Sequence, residues 1–365
     1  MASNKKLGFV LSLLLLMTTT TSIEGNNNNN VEEQVPCVFI FGDSLSDNGN
    51  NNNLHTSAKC SYRPYGIDFP DGPTGRFTNG RTSIDIITQL LGFKEMIPPF
   101  AKLGGFDILK GVNYASGGAG IRVETGTQLG ADVSLEIQLE NHRKIVSEIL
   151  AKLGGFEKAQ AHLNKCLYYF NIGSNDFINN YFLPQYYPTS QTFTLENFAG
   201  HLIQNYSLTL RAMHDELGGR KFVLVGLGAI GCTPRAISRK KNSPLSLCDN
   251  DMNEAALIFN SKLKSLVDLF NYQLSDSKFI FINSFSGMLD HHSIGFKVLT
   301  EECCKVWENG QCAANEKPCK NRNDYAFFDS FHPTEAANII TAMSSYNASN
   351  PVFTYPMDIY HLVHS

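Results

Sequence analysis

The chain has 365 residues, with 30 Lys and Arg against 34 Asp and Glu, a net charge of -4 and 42% hydrophobic residues. These values exclude a disordered acidic chain. The chain also lacks the excess of basic residues that is typical of a nucleic-acid-binding domain. The 29 Gly and 14 Pro follow no repeat, which excludes collagen-like chains, and the length is sufficient for a sizeable core.

Residues 1–25 have the pattern of a secretory signal peptide. Two lysines precede the apolar run Leu7 to Met17, and the small residues Thr18 to Ser22 follow it. The run is shorter than the roughly 20 residues that a helix needs to cross a bilayer. A buried N-terminal helix is the alternative, but no cap precedes the run and a polar tract follows it. We expect cleavage between Ser22 and Gly25.

The rest of the chain is predicted to be a polar tail followed by one domain. Residues 26–34 are rich in Asn and offer no apolar surface to bury, so we expect a disordered tail. Residues 35–365 contain no internal repeat and no Pro/Gly/Ser linker, which indicates a single domain. No later segment is apolar for long enough to span a membrane. The sequence therefore predicts a secreted, extracellular protein without a transmembrane segment.

Short apolar runs alternate with longer amphipathic segments along this domain. Four runs lack polar alternation, which is typical of strands buried on both faces; they are Val38–Phe41, Leu167–Ile172, Phe222–Leu227 and Phe279–Ile282. Three segments carry apolar residues every three or four positions, as amphipathic helices do; they are 135–153, 195–217 and 252–274. This alternation predicts a parallel sheet covered by helices on both faces. Ligands bind beyond the carboxyl ends of such strands, so the residues that follow each run are candidates for function.

The nine cysteines are candidates for disulfides if the chain is exported. Because nine is odd, at least one cysteine stays unpaired or bonds another chain. The group Cys303, Cys304, Cys312 and Cys319 has a spacing that matches no common zinc pattern, so we expect disulfides that tie down a loop. Asn205 and Asn347 begin Asn-x-Ser sequons and are predicted glycosylation sites if they lie on the surface.

The first apolar run leads into a serine. Phe41 is followed by Gly42, Asp43 and Ser44, and Gly42 permits a sharp turn. We expect Ser44 to begin a short helix, with its hydroxyl and its N–H pointing outward above the sheet edge. Alternatively, Ser44 only caps that helix. The string is not the G-x-S-x-G elbow of α/β-hydrolases, because Ser46 occupies the place of the second glycine.

A second candidate lies near the other end of the chain. In Asp329-Ser330-Phe331-His332-Pro333, Pro333 is predicted to occupy the first position of a helix, which places His332 at the helix entry. Asp329 is able to reach an imidazole nitrogen if the segment turns, and such a contact fixes the tautomer of the ring. The alternative is a helix cap beside a surface histidine.

Two further segments follow predicted strands. Gly111 to Gly120 is rich in small residues, which let backbone N–H groups approach a ligand, but the spacing does not distinguish Gly117 from Gly118. It contains neither G-x-G-x-x-G nor a P-loop lysine. In Asn171 to Asp176, the amide of Asn175 is able to donate to an oxygen that develops negative charge, or it forms an Asx-turn.

Other polar and aromatic residues near these segments have simpler interpretations. Asp43, Asp47 and Asp176 are predicted to be helix-start and turn residues and not catalytic acids. Four aromatic residues after Asn175 either line an acyl or sugar pocket or belong to ordinary packing; they are Tyr181, Phe182, Tyr186 and Tyr187.

The joint order of these motifs resembles the SGNH, or GDSL, hydrolase superfamily, and is most similar to plant-type GDSL esterase/lipase proteins. The order is Gly-Asp-Ser-Leu, a Gly-rich block, Gly-x-Asn-Asp and a C-terminal Asp-x-x-His. The longer matching strings are Phe39 to Asn50, Gly75 to Arg81, Gly228 to Pro234 and Phe328 to Glu335. The resemblance covers essentially the whole mature chain and departs at Lys305, where the group more often has glycine.

The resemblance implies specific roles and a fold. Ser44 would be the nucleophile, His332 the general base and Asp329 the residue that orients it. The oxyanion hole would consist of the Ser44 N–H, the Gly117 N–H and the side-chain amide of Asn175, with Gly117 preferred over Gly118 on the resemblance alone. The implied fold is a flavodoxin-like three-layer α/β/α sandwich with a five-stranded parallel sheet.

We therefore expect a secreted serine carboxylic-ester hydrolase that cleaves acyl esters through an acyl-enzyme on Ser44. This chemistry requires no metal and no organic cofactor, and no nucleic-acid partner is predicted. The alternatives are removal of acetyl groups from cell-wall polysaccharide, acyl transfer between hydroxyl compounds, and a binding or defence protein that keeps the fold without turnover.

Overall fold

The computed structural model describes residues 32–239, 248–289 and 295–365. The predicted signal peptide, 1–25, and residues 26–31 of the predicted tail lie outside the described residues. Residues 33–365 form one compact unit. Gln34, the last residue of the predicted tail, already packs against this unit. Its side-chain amide donates to the Leu90 carbonyl at 2.9 Å and to the Tyr346 hydroxyl at 2.7 Å.

A six-stranded sheet forms the centre of this unit. The strands are β1 (Val38–Gly42), β2 (Gly111–Asn113), β3 (Leu167–Asn171), β4 (Lys221–Val225), β5 (Lys278–Ile282), β6 (Val298–Glu302), β7 (Tyr325–Phe327) and β8 (Thr354–Tyr355). The order in the main sheet is β2-β1-β3-β4-β5-β8, and β6 pairs with β7 in a separate two-stranded sheet. Strands β1 to β5 are parallel, which confirms the predicted flavodoxin-like core. The sixth strand, β8, was not predicted and pairs antiparallel with β5.

The helices cover both faces of this sheet. They are α1 (Ser83–Leu90), α2 (Leu135–Leu153), α3 (Phe156–Leu163), α4 (Ser174–Asp176), α5 (Thr189–Thr192), α6 (Leu195–Asp215), α7 (Pro234–Arg239), α8 (Asn250–Gln273), α9 (Ser284–Leu289), α10 (Glu335–Tyr346) and α11 (Ile359–Val363). The three predicted helices correspond to α2, α6 and α8. Helix α2 ends at Gly154, whose left-handed φ of 76° suits glycine. Within the described residues, no helix combines the length and apolar character needed to cross a bilayer.

The two faces of the sheet differ in composition. One face carries a row of aromatic rings that stack across strands: the Phe41 and Phe170 centroids lie 4.5 Å apart, and those of Phe222 and Phe279 lie 4.4 Å apart. This row packs against α2, α3, α6 and α8. The other face is mainly aliphatic and packs against α1, α10 and α11. Both faces are therefore buried, which explains why the strands read as continuous apolar runs.

Disulfides tie several loops to this frame, which confirms the predicted use of the cysteines. The pairs are Cys37–Cys166, Cys232–Cys248, Cys303–Cys319 and Cys304–Cys312. Cys60 is unpaired and buried. The last two pairs close the loop that follows β6, as expected from the clustered cysteines.

The segment Gly75 to Arg81 is fixed by a buried ion pair. The Arg76 guanidinium donates to both carboxylate oxygens of Asp85, at 2.7 and 2.8 Å. Asp85 also closes the capping box of α1 with Thr82. The neighbouring Phe77 ring lies 4.9 Å from the His332 ring, so this ion pair anchors the loop that supports the histidine.

Replacing Arg76 by Met is expected to lower the free energy of unfolding by about 3–5 kcal/mol, because the Asp85 carboxylate stays buried without its partner. Urea denaturation measures this loss. Arg81→Met is the control, since the pair of Arg81 with Glu335 is partly exposed and is worth below about 1 kcal/mol. Equal losses in both variants would contradict the structural role of Arg76.

Candidate active site

The chain turns sharply after β1. A Cβ on Gly42 would lie 2.7 Å from the Asn171 carbonyl oxygen of β3, so this close approach requires glycine. The N–H groups of Ser46 and Asp47 then both donate to the Asp43 carbonyl, at 3.1 and 2.9 Å, and form a single helical turn. Among the described residues, the Ser44 N–H has no hydrogen-bond acceptor.

The expected short helix at Ser44 does not continue beyond this turn. One carboxylate oxygen of Asp47 accepts from the N–H groups of Gly49 and Asn50, at 2.7 and 2.8 Å, and so redirects the chain. Asp47 is therefore a turn residue, as predicted. The correction is that Ser44 lies in a tight turn and is not the first residue of a helix.

Ser44, His332 and Asp329 lie in one line of hydrogen bonds. The Ser44 Oγ is 2.8 Å from the His332 Nε2, and the His332 Nδ1 is 2.8 Å from each Asp329 carboxylate oxygen. Asp329 is fully buried and His332 nearly so, whereas Ser44 is half-buried. Residues predicted from distant parts of the sequence thus meet at the carboxyl edge of the sheet.

The histidine is held by a turn that precedes α10. The N–H groups of Phe331 and His332 donate to Asp329 Oδ1 at 2.9 and 2.8 Å. Pro333 was expected to occupy the first helical position, but Thr334 caps the helix and accepts from the Ala337 N–H, so Pro333 precedes the cap. His332 therefore lies outside the helix, with its ring free to face Ser44.

A tyrosine that no sequence pattern predicts contacts Asp329. The fully buried Tyr65 donates its hydroxyl hydrogen to Asp329 Oδ2 at 2.6 Å and accepts from the Cys312 N–H at 3.0 Å. The disulfide from Cys304 to Cys312 holds this N–H in place. Tyr65 thus connects the disulfide-bonded loop to the carboxylate. A contact across 264 residues leaves no local pattern that predicts it.

The Gly-rich block forms a tight turn beside Ser44. The Ala119 N–H donates to the Ser116 carbonyl at 3.1 Å, and Gly118 has a φ of 87°, as the third residue of a type II turn requires. The Gly117 N–H donates to Asp47 Oδ2 at 2.9 Å, so it is engaged within the protein. Gly118 lines the cleft at Ser44, and its N–H has no acceptor among the described residues.

A chain of side chains fixes the amide of Asn175. Its Nδ2 donates to the Ala119 carbonyl at 3.0 Å, while its Oδ1 accepts from Asn179 Nδ2 at 2.7 Å. Asn179 in turn accepts from Gln128 at 3.1 Å, and Gln128 accepts from the Tyr187 hydroxyl. Each side chain in this series donates to the next, ending at the Asn175 Oδ1. The oxygen of the Asn175 amide is therefore the atom that faces Asn179, and the nitrogen is the other one. Its second N–H is left for the cleft, which Asn175 lines.

The position of Asn179 depends on an irregular helix. Residues Phe177–Tyr181 form a π-helix, and Asn179 has non-helical angles, φ -111° and ψ 19°. Such bulges are frequent at functional sites. Tyr181 and Tyr187 are nearly buried, and their hydroxyl groups donate to the Phe193 carbonyl and to Gln128. Neither residue lines the cleft, so both belong to the packing of the protein and not to a substrate pocket.

Buried carboxylates surround these loops. Burial raises the pKa of Asp43 to about 7, although the Leu45 N–H and the charge of His332 oppose the shift. Burial likewise raises the pKa of Asp47 and of Asp176 to about 6, although the hydrogen bonds that each carboxylate accepts from backbone N–H groups lower it. Asp43 and Asp47 make the turn contacts predicted for them. Asp176 does not, because its carboxylate accepts from the Ile121 and Arg122 N–H groups and the Thr125 hydroxyl of the loop that follows the Gly-rich block. All three carboxyl groups bear a cost of burial.

Replacing Asp43 by Asn is expected to flatten the pH dependence of stability. The folded protein keeps the Asp43 proton up to about pH 7, whereas the unfolded chain loses it near 3.8, so the wild type loses stability as pH rises between these values. The variant should gain on the order of 2–4 kcal/mol relative to wild type between pH 4 and pH 8. Urea denaturation at several pH values measures this.

Asp68→Asn is the control for this experiment. Although burial opposes it, the hydrogen bond from Arg322 lowers the pKa of Asp68, so its contribution is present above pH 4 and lost on acidification. The variant should be less stable than wild type at neutral pH and approach it at low pH. An Asp43→Asn variant with the same pH slope as wild type would contradict the assignment.

Comparison with known proteins places the chain in a family. A family model described as GDSL-like Lipase/Acylhydrolase matches residues 38–344. A GDSL esterase/lipase of Arabidopsis thaliana is 48% identical over 338 residues, which cover 91% of this chain and 92% of that relative. Two other GDSL esterase/lipases from the same plant are each 47% identical over 334 residues, which cover 90% of this chain and 92% of each relative. The chain therefore belongs to the GDSL-like lipase/acylhydrolase family.

Proposed function

We propose that this protein hydrolyses acyl esters through an acyl-enzyme on Ser44. As a member of the GDSL esterase/lipase family, it is a carboxylic-ester hydrolase. The observation that carries the mechanism is the line of 2.8 Å contacts from Asp329 through His332 to the Ser44 Oγ. A serine hydroxyl is a weak nucleophile unless a base lies within hydrogen-bond reach, and His332 meets this condition.

The proposed reaction has two halves. His332 Nε2 accepts the Ser44 proton as the Oγ attacks the ester carbonyl, and the same nitrogen then protonates the leaving alcohol. Water repeats the sequence on the acyl-enzyme and releases the acid. Asp329 holds the imidazole through Nδ1 and stabilises the imidazolium, while Tyr65 and two backbone N–H groups hold Asp329.

The developing oxyanion is stabilised by three donors. These are the N–H of Ser44, the N–H of Gly118 and the free N–H of the Asn175 amide. Gly118 replaces Gly117 in this assignment, because Asp47 already accepts the Gly117 N–H and Gly118 lines the cleft. Gly117 then has a steric role: a Cβ there would lie 2.4 Å from the Phe77 ring.

The protein is proposed to act outside the cell. The N-terminal sequence pattern and the four disulfides support export to an oxidising compartment. Asn205 and Asn347 are both exposed, which supports glycosylation at these sequons. Mass spectrometry of the protein secreted by plant cells tests cleavage between Ser22 and Gly25 and both glycans.

Ser44→Ala is expected to abolish ester hydrolysis while the protein stays folded, because no acyl-enzyme forms without the Oγ. Hydrolysis of p-nitrophenyl butyrate and labelling by a serine-directed phosphonate both measure this. Ser46→Ala is the matched control, since the Ser46 hydroxyl is buried without a hydrogen-bond partner among the described residues. A wild-type protein that takes no phosphonate at Ser44 would favour the binding or defence function instead.

Asn175→Ala is expected to lower kcat by roughly 10²–10³ through loss of an oxyanion donor. Asn179→Ala should lower kcat by roughly 10- to 100-fold with little change in KM, because the Asn175 amide loses its fixed orientation. In the Asn175→Ala background, Asn179→Ala should have no further effect on kcat. Additive losses in this double-mutant cycle would mean that Asn179 acts independently of Asn175, and would contradict its role in orienting that amide.

A further inference from the structure

The last residue of β1 lies beyond the end of its neighbouring strand. Strand β2 ends at Asn113, which lies opposite Ile40, so no residue of β2 stands beside Gly42. The carbonyls of Ile40 and Gly42 both face this side, because they accept from the N–H groups of Tyr114 and Ser116 at 2.7 and 3.1 Å. The Gly42 N–H faces the same side and is buried, and a buried N–H without an acceptor is costly. Gly42 therefore requires a partner that β2 does not supply.

Gln138 of α2 supplies this partner. Its Oε1 accepts from the Gly42 N–H at 2.9 Å, and its Nε2 donates to the Gly42 carbonyl at 2.8 Å. A single carboxamide thus bonds both backbone groups of one residue, as an antiparallel strand does. Gln138 is fully buried. Since Gly42 stands two residues before Ser44, this side chain fixes the start of the turn that carries the serine.

The same side chain holds the segment that precedes α2. The second N–H of the Gln138 amide donates to the Val133 carbonyl at 2.8 Å, and the Val133 N–H donates to the Ser116 hydroxyl at 3.0 Å. The Leu135 N–H donates to the Gly120 carbonyl at 3.0 Å. The Gly-rich block is therefore bound near both of its ends to the residues around Gln138, and the glycine proposed as an oxyanion donor lies between these two points.

The orientation of the Gln138 amide is fixed by its partners. Its oxygen faces an N–H group and its nitrogen faces two carbonyls, so a 180° rotation of the amide would place like groups against each other. Its backbone is held as well, because the Gln138 N–H donates to the Ser134 carbonyl at 2.9 Å within the first turn of α2. A side chain that is fixed at both ends is able to position the segments that it bonds.

Gln138 acts on the site only through the backbone. It is not among the described residues that line the cleft at Ser44. On the opposite side of β1, the Asp43 N–H donates to the Asn171 carbonyl of β3 at 3.2 Å. The turn at Ser44 is thus held between β3 and Gln138. Loss of the Gln138 amide would release one side of this turn and leave the Gly42 N–H buried without its acceptor.

We propose that Gln138 is a positioning residue for ester hydrolysis: its carboxamide takes the place of a strand at Gly42 and fixes the Ser44 turn relative to the Gly-rich block. The inference rests on the proposed function, because it assumes that Ser44 attacks the ester. A displacement of reacting groups by about 1 Å is enough to cost roughly 10²-fold in rate. Loss of the carboxamide is therefore expected to lower kcat and to change substrate binding little.

Gln138→Met keeps the length of the side chain and removes its hydrogen bonds. It should lower kcat for p-nitrophenyl butyrate by roughly 10- to 100-fold, change KM by less than about twofold, and slow phosphonate labelling of Ser44 in parallel. Gln138→Asn keeps the amide but is one methylene too short to reach Gly42, so it should show the same pattern if the first variant folds poorly. Gln138→Glu should recover part of the kcat, because a buried, protonated carboxyl retains one acceptor and one donor for Gly42.

His142→Met is the matched control. His142 lies one turn further along the same face of α2, is equally buried, and forms a hydrogen bond with the Tyr114 hydroxyl. Its replacement should lower the melting temperature but leave kcat within about twofold of wild type. An equal fall in kcat in this variant would mean that the loss comes from helix packing, and would overturn the proposal. A Gln138→Met protein with wild-type kcat, or with a change in KM alone, would overturn it too.

Hydrogen exchange separates a failure of this inference from a failure of the proposed function. If the wild type hydrolyses esters and is labelled at Ser44 while Gln138→Met behaves identically, the positioning role fails and the proposed function stands. If the wild type takes no label, the proposed function fails, and amide exchange in a peptide spanning residues 39–46 still tests the contact. Faster exchange at the Gly42 N–H in Gln138→Met supports the role of the carboxamide, and unchanged exchange overturns it.

Discussion

The hydrogen-bonded line from Asp329 through His332 to Ser44 is the constraint on which the rest of the structure depends. It joins residues 288 positions apart, so the turn after the first strand and the segment before α10 must meet at hydrogen-bond distance. The parallel sheet brings both to its carboxyl edge, and buried donors then fix each group. Tyr65 and the turn at residues 329–332 hold the carboxylate, and Phe77, anchored by the Arg76–Asp85 pair, lies against the imidazole.

Two buried carboxylates join the loops that follow three different strands. Asp47, after β1, accepts from Gly117, after β2. Asp176, after β3, accepts from the N–H groups of Ile121 and Arg122 at the end of the Gly-rich block. Burial raises the pKa of both carboxyl groups, so the fold bears a cost to keep them there. The result is a set of loops connected across the site before any substrate arrives, as electrostatic stabilisation of a transition state requires.

The sequence predicts the parts of this arrangement that follow from local rules. Strands buried on both faces read as apolar runs, and parallel topology directs the residues after them to one edge, so Ser44 and Asn175 were identifiable. Strand β8 has only two residues and carries no pattern. The contact of Tyr65 with Asp329 depends on distant segments meeting. The choice between Gly117 and Gly118 depends on where the Asp47 carboxylate lies, which spacing along the Gly-rich block does not encode.

The segment from His332 to Ser345 carries two requirements at once. Its first residues hold the base rigidly, through backbone bonds to Asp329 and the Thr334 cap of α10. Its later residues leave space, because Ala337, Thr341 and Ser345 are small and return their hydroxyl bonds to the helix itself. Rigidity comes from the backbone and the cap, whereas space comes from side-chain volume. The two requirements are therefore separable: a side chain along α10 changes the volume of the cleft without changing the backbone bonds that hold His332.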